Sequence, residues 1–260
     1  MAEVVLGDVT KTFGTGADAV DALEGCSFTV GDGEFVTLLG PSGCGKTTAL
    51  DLIAGFTRPT AGGVTVGGRT VERPGPDRAV VFQDAALFPW LRVEDNVAFG
   101  LRLAGRPAAE VRERVDALLA RVGLTPFRRR YPAELSGGMR QRVALARVLA
   151  LDSGVLLMDE PFGALDAQTR GLMQEFLTAI WERDRRTVLF VTHDLDEAIY
   201  LADRVLVMTA RPGRIRRELT VALPRPRTPD MMATAPAHAL RDEIRSLVRE
   251  EAIRTMGAMT

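Results

Sequence analysis

The sequence predicts an α/β fold wound around a mixed or parallel sheet. From residue 155 onward, apolar β-branched runs at 155–158, 187–191 and 204–208 alternate with helical stretches at about 167–183 and 195–202. That alternation is the pattern of crossover connections between parallel strands. Upstream, a short buried-strand signal at 35–39 runs through a glycine-rich loop directly into a helical segment at 46–53.

The remaining elements follow in order. Residues 3–39 carry short apolar runs broken by glycine, such as 26–30 followed by Gly31, Asp32 and Gly33, and read as strands with tight turns. A further strand signal at 78–82 ends at Gln83, and from about 93 to 150 the texture is helical. There Val111, Val115, Leu118, Leu119 and Val122 recur with helical period, while Glu110 with Arg114 and Arg112 with Asp116 are spaced to pair along the other side. The proline-studded run 223–229 reads as an extended linker, and Leu240, Ile244, Leu247, Val248 and Ile253 form a last helical stripe.

At 260 residues and 46% hydrophobic content, the chain can fill one large domain or a core with an inserted subdomain. Its 33 basic and 34 acidic residues leave a net charge of -1, which argues against nucleic acid as a partner. No uncharged apolar stretch approaches the roughly 18 residues of a membrane span, and no signal segment opens the chain, so a cytosolic location is expected. Two cysteines fit a reducing compartment, and two histidines, His193 and His238, give no zinc-site spacing.

The chemistry concentrates in three places. Gly40, Pro41, Ser42, Gly43, Cys44, Gly45, Lys46, Thr47 and Thr48 fit G-x-x-x-x-G-K-[ST]. In that pattern backbone N–H groups cradle phosphates, Lys46 reaches the β- and γ-phosphates, and the Thr47 hydroxyl can ligate Mg²⁺. The run Val155 to Met158 ends in Asp159 and Glu160. Beside a phosphate loop the first carboxylate suits support of Mg²⁺ and the second suits polarising an attacking water, the alternative being two carboxylates that merely reach solvent. Leu135, Ser136, Gly137, Gly138 and Met139 form a second glycine turn at a helix start. Taken alone, that turn is better read as a plainly capped helix with Ser136 as N-cap than as an anion site.

Together the phosphate loop, Gln83, the Ser136 turn, the Asp159–Glu160 strand end, Gly163 to Asp166, and Thr192 with His193 resemble an ATP-binding cassette subunit in order and spacing, over about residues 3–220. The resemblance implies a P-loop nucleotide-hydrolase core over 1–83 and 151–222, with an N-terminal antiparallel β subdomain. It also implies an inserted helical subdomain over 84–150 and a C-terminal linker and helix over 223–260. The implied activity is ATP hydrolysis with ATP and Mg²⁺.

By the same resemblance Phe13, where the family more often has tyrosine, stacks on adenine. Gln83 senses Mg²⁺ and the γ-phosphate, and His193 holds the γ-phosphate and orients the water on Glu160. Two copies stack head to tail, so that Ser136, Gly137 and Gly138 of one complete the ATP site of the other, while Asp166 contacts the partner copy. Met139, the run Leu87 to Leu91 and the run Leu223 to Arg227 resemble importers of the nitrate, sulfonate and taurine group. Such a subunit sits on the inner face of the cell membrane through a separate permease, served by a solute-binding protein. Leu87, Phe88 and Trp90 are then expected to face that permease. The alternative is a soluble cassette ATPase uncoupled from transport. A guanine-nucleotide switch is disfavoured, because no Asn/Thr-Lys-x-Asp motif is present.

Overall fold

A computed structural model of the protein describes residues 2–257. Its larger sheet has the order β10-β9-β3-β8-β7-β6. The strands are β3 (Phe35–Leu39), β6 (Arg78–Val81), β7 (Val155–Asp159), β8 (Thr187–Thr192), β9 (Arg204–Met208) and β10 (Ile215–Thr220). All neighbours pair in parallel except β10, which runs antiparallel to β9. The sheet is therefore mixed. A second, antiparallel sheet of order β2-β1-β4-β5 holds β1 (Val4–Phe13), β2 (Val20–Val30), β4 (Ala61–Val66) and β5 (Arg69–Thr70).

The pleat of β3 explains the two-sided core. Val36 and Leu38 point toward the antiparallel sheet and join Leu50 and Ile53 of α1 (Lys46–Ala54), with Leu6 and Phe28 beyond. Phe35 and Leu39 point the other way, into a cluster with Trp181 and Phe190. That second cluster is continuous with α2 (Val93–Leu103), α3 (Ala108–Arg121) and α4 (Gly137–Leu149), so the helical insertion shares its interior with the sheet. Every apolar residue of the α3 stripe is buried. α5 (Ala167–Asp184) and α6 (Leu195–Leu201) complete the layer on this face, and α7 (Ala235–Gly257) packs over α6 and β9.

Three local expectations are corrected. The α3 charges do not pair along their own helix: Arg114 reaches Asp152 at 2.8 Å, Asp116 meets Arg128 at 2.9 Å, and Glu110 faces Arg106. Arg114 and Asp116 thus take partners from other elements, while Glu110 keeps an i,i+4 pair with Arg106 just before the helix rather than with Arg114; such pairs are worth only about 0.2–0.5 kcal/mol each. In α7 Ile244 is fully buried, but Ile253 is 54% exposed and does not join the packed face. Finally, residues 223–229 are extended but not loose. Arg227 is buried, and its guanidinium donates to the carbonyls of Ile199, Tyr200 and Ala202, the unpaired C-terminal end of α6. Arg225 donates to Asp203 and to the carbonyl of Leu201 beside it.

Candidate nucleotide site

Parallel register brings the site together. Leu39 pairs with Thr192, and Asp159 pairs with Val191, so β3, β7 and β8 end at one level and release the phosphate loop, Glu160 and His193 from adjacent strand ends. The crevice beyond the carboxyl ends of parallel strands is where open α/β sheets bind ligands.

The loop's shape depends on its glycines. Gly45 sits at φ +99°, and a Cβ there would lie 2.7 Å from the Ala22 carbonyl oxygen, so only glycine can start α1 so close to β2. Lys46 Nζ donates to the carbonyls of Gly40 at 2.8 Å and Pro41 at 3.0 Å. Its charge is thus held at the loop mouth. Thr47 Oγ1 donates to Asp159 Oδ2 at 2.8 Å. Asp159 is buried, and burial, with the Glu160 carboxylate adjacent, raises its pKa above the usual carboxylate range. A hydroxyl and a buried carboxylate side by side are hard oxygen donors of the kind Mg²⁺ takes, so these residues fit that ion.

Glu160 leaves the strand in the left-handed region, at φ +44°, while its N–H donates to the Val191 carbonyl at 2.9 Å. A non-glycine residue in that region carries strain of roughly 1–3 kcal/mol, and such strain clusters at functional sites. Its Oε1 stands 3.1 Å from His193 Nδ1.

A cavity of about 390 Å³ gathers Phe13, Ser42, Gly43, Gly45, Lys46, Thr47, Thr48, Gln83, Asp159 and Glu160. Phe13 offers an open ring, 46% exposed, with Lys11 Nζ 4.8 Å from its centroid. His193 lines a small adjoining cleft, to which Glu160 also belongs. Gly40, Pro41 and Cys44 of the loop do not line the cavity. The Cys44 thiol is buried beneath Gly40, and burial raises its pKa.

Ser136, Gly137 and Gly138 are not brought to this cavity. Ser136 is exposed and caps α4, accepting from the Met139 N–H at 3.2 Å. Gly138 packs under Leu165, which ties the turn to the loop ending at Asp166. Asp166 itself caps α5, accepting from the N–H and the hydroxyl of Thr169, and these bonds hold its carboxyl below the usual range.

Two functional neighbours escaped the sequence reading. Gln141 is buried on α4 and donates to the Phe82 carbonyl at 3.2 Å, joining the helix behind the Ser136 turn to the chain that carries Gln83. Arg147, two turns on, donates to the carbonyls of Ala85 and Ala86. Both lie in the α4 sequence, and their signal was a polar residue at an apolar-face position, Gln141 being aligned with Ala144, Leu145 and Val148. Downstream, Asn96 is wholly buried and holds the 88–92 loop by donating to the carbonyls of Phe88, Leu91 and Arg92. Phe88 packs 4.5 Å from Phe99, centroid to centroid, and Trp90 is left 71% exposed.

The ABC transporter family profile matches residues 23–163, more than half the chain. The protein belongs to that family. It is an ATP-binding cassette ATPase. The taurine import ATP-binding protein TauB of Chromobacterium violaceum is 55% identical over 201 residues, covering 77% of each chain. The nitrate import ATP-binding protein NrtD of Synechocystis sp. is 47% identical over 248 residues, covering 93% of each. Among solved structures, the dimeric structure of MJ0796, a bacterial ABC transporter cassette, superposes with TM-score 0.78 at 33% identity, covering 85% of this chain and 99% of that one. A dimeric post-hydrolysis state of the same cassette, bound to ADP and Pi, gives 0.77. The α/β cassette fold expected from the sequence is therefore the fold observed.

Proposed function

We propose that this cassette is the ATP-hydrolysing subunit of an importer, working as a head-to-tail pair of copies beneath a separate membrane permease. One observation carries the reading. Lys46, Thr47, Asp159 and Glu160 converge on one cavity, while the Ser136 turn, equally rich in N–H donors, stands exposed away from it. A second copy that brings its Ser136 turn to this cavity would complete the site, and the dimeric MJ0796 structures support that arrangement.

In the completed site Lys46 neutralises the β- and γ-phosphates, and Phe13 stacks on adenine. Thr47 and Asp159 hold Mg²⁺ with Gln83 near it, and the ion supplies charge neutralisation when bound. Glu160 accepts a proton from water as the water oxygen bonds to the γ-phosphorus and the β–γ bridge breaks, giving ADP and phosphate. His193 fixes the Glu160 carboxylate through the 3.1 Å contact. Ser136, Gly137 and Gly138 serve the partner's nucleotide, and Asp166 lies at the seam between copies.

Among the described residues no helix is long and apolar enough to cross a membrane. The permease therefore supplies attachment to the inner face of the membrane, with a solute-binding protein acting beyond it. Trp90, exposed on a loop braced by Asn96 and close in sequence to Gln83, supports a permease contact there; aromatic anchors of this kind cost on the order of 2 kcal/mol or more when truncated. The names of TauB and NrtD support a small taurine- or nitrate-like solute. The test is Trp90→Ala in reconstituted vesicles: the variant should bind ATP normally, yet copurify poorly with the permease and lose taurine or nitrate uptake. Unchanged assembly and uptake would remove the docking claim.

A further inference from the structure

The turn between β9 and β10 places one more cation at the nucleotide cavity. Arg211 lines the cavity together with Phe13, Ser42 and Gly43, on the outer side of the phosphate loop. Its Nε donates to the Gly43 carbonyl at 3.3 Å, and a Cβ built on Gly43 would lie 3.3 Å from its Nη2, so the guanidinium lies flat against the loop. The neighbouring arginines differ. Arg214 is neutralised by Glu24 at 2.7 Å, and Arg216 by Glu251 at 2.7 Å and by Glu250. Among the described residues no carboxylate is paired with Arg211. An arginine presents five N–H donors in a rigid fork, and one carbonyl uses only the first of them.

The turn is held firmly in this place. Gly213 donates to the Ala22 carbonyl at 2.9 Å, and the Glu24 N–H returns to the Gly213 carbonyl at 3.2 Å. A Cβ on Gly213 would sit 2.0 Å from the Cys44 carbonyl oxygen, so the turn touches the back of the phosphate loop directly. Thr209 closes the turn by donating to the Pro212 carbonyl and accepting from the Arg214 N–H. From the other side the Ala210 N–H donates to Glu251 Oε2 at 3.0 Å, fixing the residue before Arg211 to α7. The cation is thus positioned before any ligand arrives, which is the condition under which charge adds most to binding.

We infer that Arg211 is a further nucleotide-binding residue, whose guanidinium grips the polyphosphate of ATP from the outer edge of the phosphate loop. The inference rests on the reading of that loop as the ATP site. A bidentate guanidinium–phosphate contact is the chemistry the fork geometry suits, and a charge-assisted bond of this kind corresponds to about tenfold in affinity.

The test compares the wild-type chain with Arg211→Ala and Arg211→Lys by calorimetric ATP titration across a range of salt concentrations, with the melting temperature of the nucleotide-free protein measured alongside. Arg211→Ala should bind ATP about tenfold more weakly, with a shallower dependence of affinity on salt and an unchanged melting temperature. Arg211→Lys, which keeps the charge but loses the fork, should restore the salt dependence while recovering only part of the affinity. ATP affinity within twofold of wild type in Arg211→Ala would overturn the inference and leave the ATP site standing. A loss matched by a lowered melting temperature with an unchanged salt slope would overturn it in favour of a purely structural turn residue. A wild-type chain that binds no ATP would overturn both readings.

Discussion

Two glycine turns open two helices in this cassette, and their surroundings differ completely. The turn before α1 is enclosed: Lys46, Thr47, Asp159 and Glu160 all stand on one cavity, supplied from the ends of β3 and β7 on either side of β8. The turn before α4 has the same raw material, namely orphan N–H groups, a helix dipole and glycines. Yet Ser136 is exposed, and its hydroxyl is occupied only with capping. Anion-binding geometry is therefore not enough to define a nucleotide site. The first turn has its own cation and carboxylates, whereas the second, under the proposed pairing of copies, has to be carried to a ligand held elsewhere.

The contrast can be broken at several points. The largest effect belongs to Glu160→Gln, which keeps shape and hydrogen bonding but removes the proposed proton acceptor. Turnover should fall by about 10²–10⁴-fold, with ATP affinity retained and an ATP-dependent dimer appearing on a sizing column. Steady-state phosphate release near the wild-type rate would remove Glu160 as the base. Ser136→Arg should come next, lowering hydrolysis roughly 100-fold or more by analogy with loss of a single oxyanion-type donor, while an isolated subunit binds ATP as before. A Ser136→Arg protein with normal ATPase activity would show that the second turn serves no nucleotide.

Lys46→Ala addresses the enclosed turn itself. Loss of a charged hydrogen-bond partner should weaken ATP binding by about 10–100-fold in calorimetry, and normal affinity would contradict the site. The smallest effect concerns stability. The Asp159 pKa is raised by burial, so the folded state holds its proton more tightly than the unfolded state, and stability falls as pH rises from the unfolded value through the folded one. At neutral pH that cost is fully present. Asp159→Asn should therefore raise the nucleotide-free melting temperature at pH 7.5, with the gain shrinking in thermal scans as the pH is lowered below the carboxylate range. A lower melting temperature at pH 7.5 would mean that the Thr47 hydrogen bond outweighs desolvation.

The enclosed turn was legible in the sequence because its parts are local or lie at strand ends. The loop motif fixes its own backbone, and a fully apolar β7 ending in two carboxylates marks where charge must emerge. Strand-helix alternation gave the parallel sheet for the same reason. What the sequence concealed depends on contacts between distant segments. Arg225 and Arg227 read as polar punctuation of a proline-rich linker, and nothing local shows that their guanidinium groups end in the carbonyls of α6. Arg114 and Asp116 were assigned to helical neighbours because spacing is all a sequence offers, whereas Asp152 and Arg128 approach from other elements. Gln141 was hidden similarly, since its partner lies 59 residues away.

Arg227 also decides where this polypeptide can be cut. A cassette trimmed by motif alone would stop near residue 222, since every nucleotide-site motif lies upstream. Such a trim deletes both arginines that stop the end of α6, Arg225 and Arg227, strips the partner from the Tyr200 hydroxyl, and uncovers the apolar floor on which Leu223 rests. The fragment would expose a frayed helix and a greasy seam, inviting proteases and self-association. Fusion tags, split reporters and shortened expression versions should therefore leave the chain intact through Pro229, and a stable proteolytic core is expected to retain Arg227.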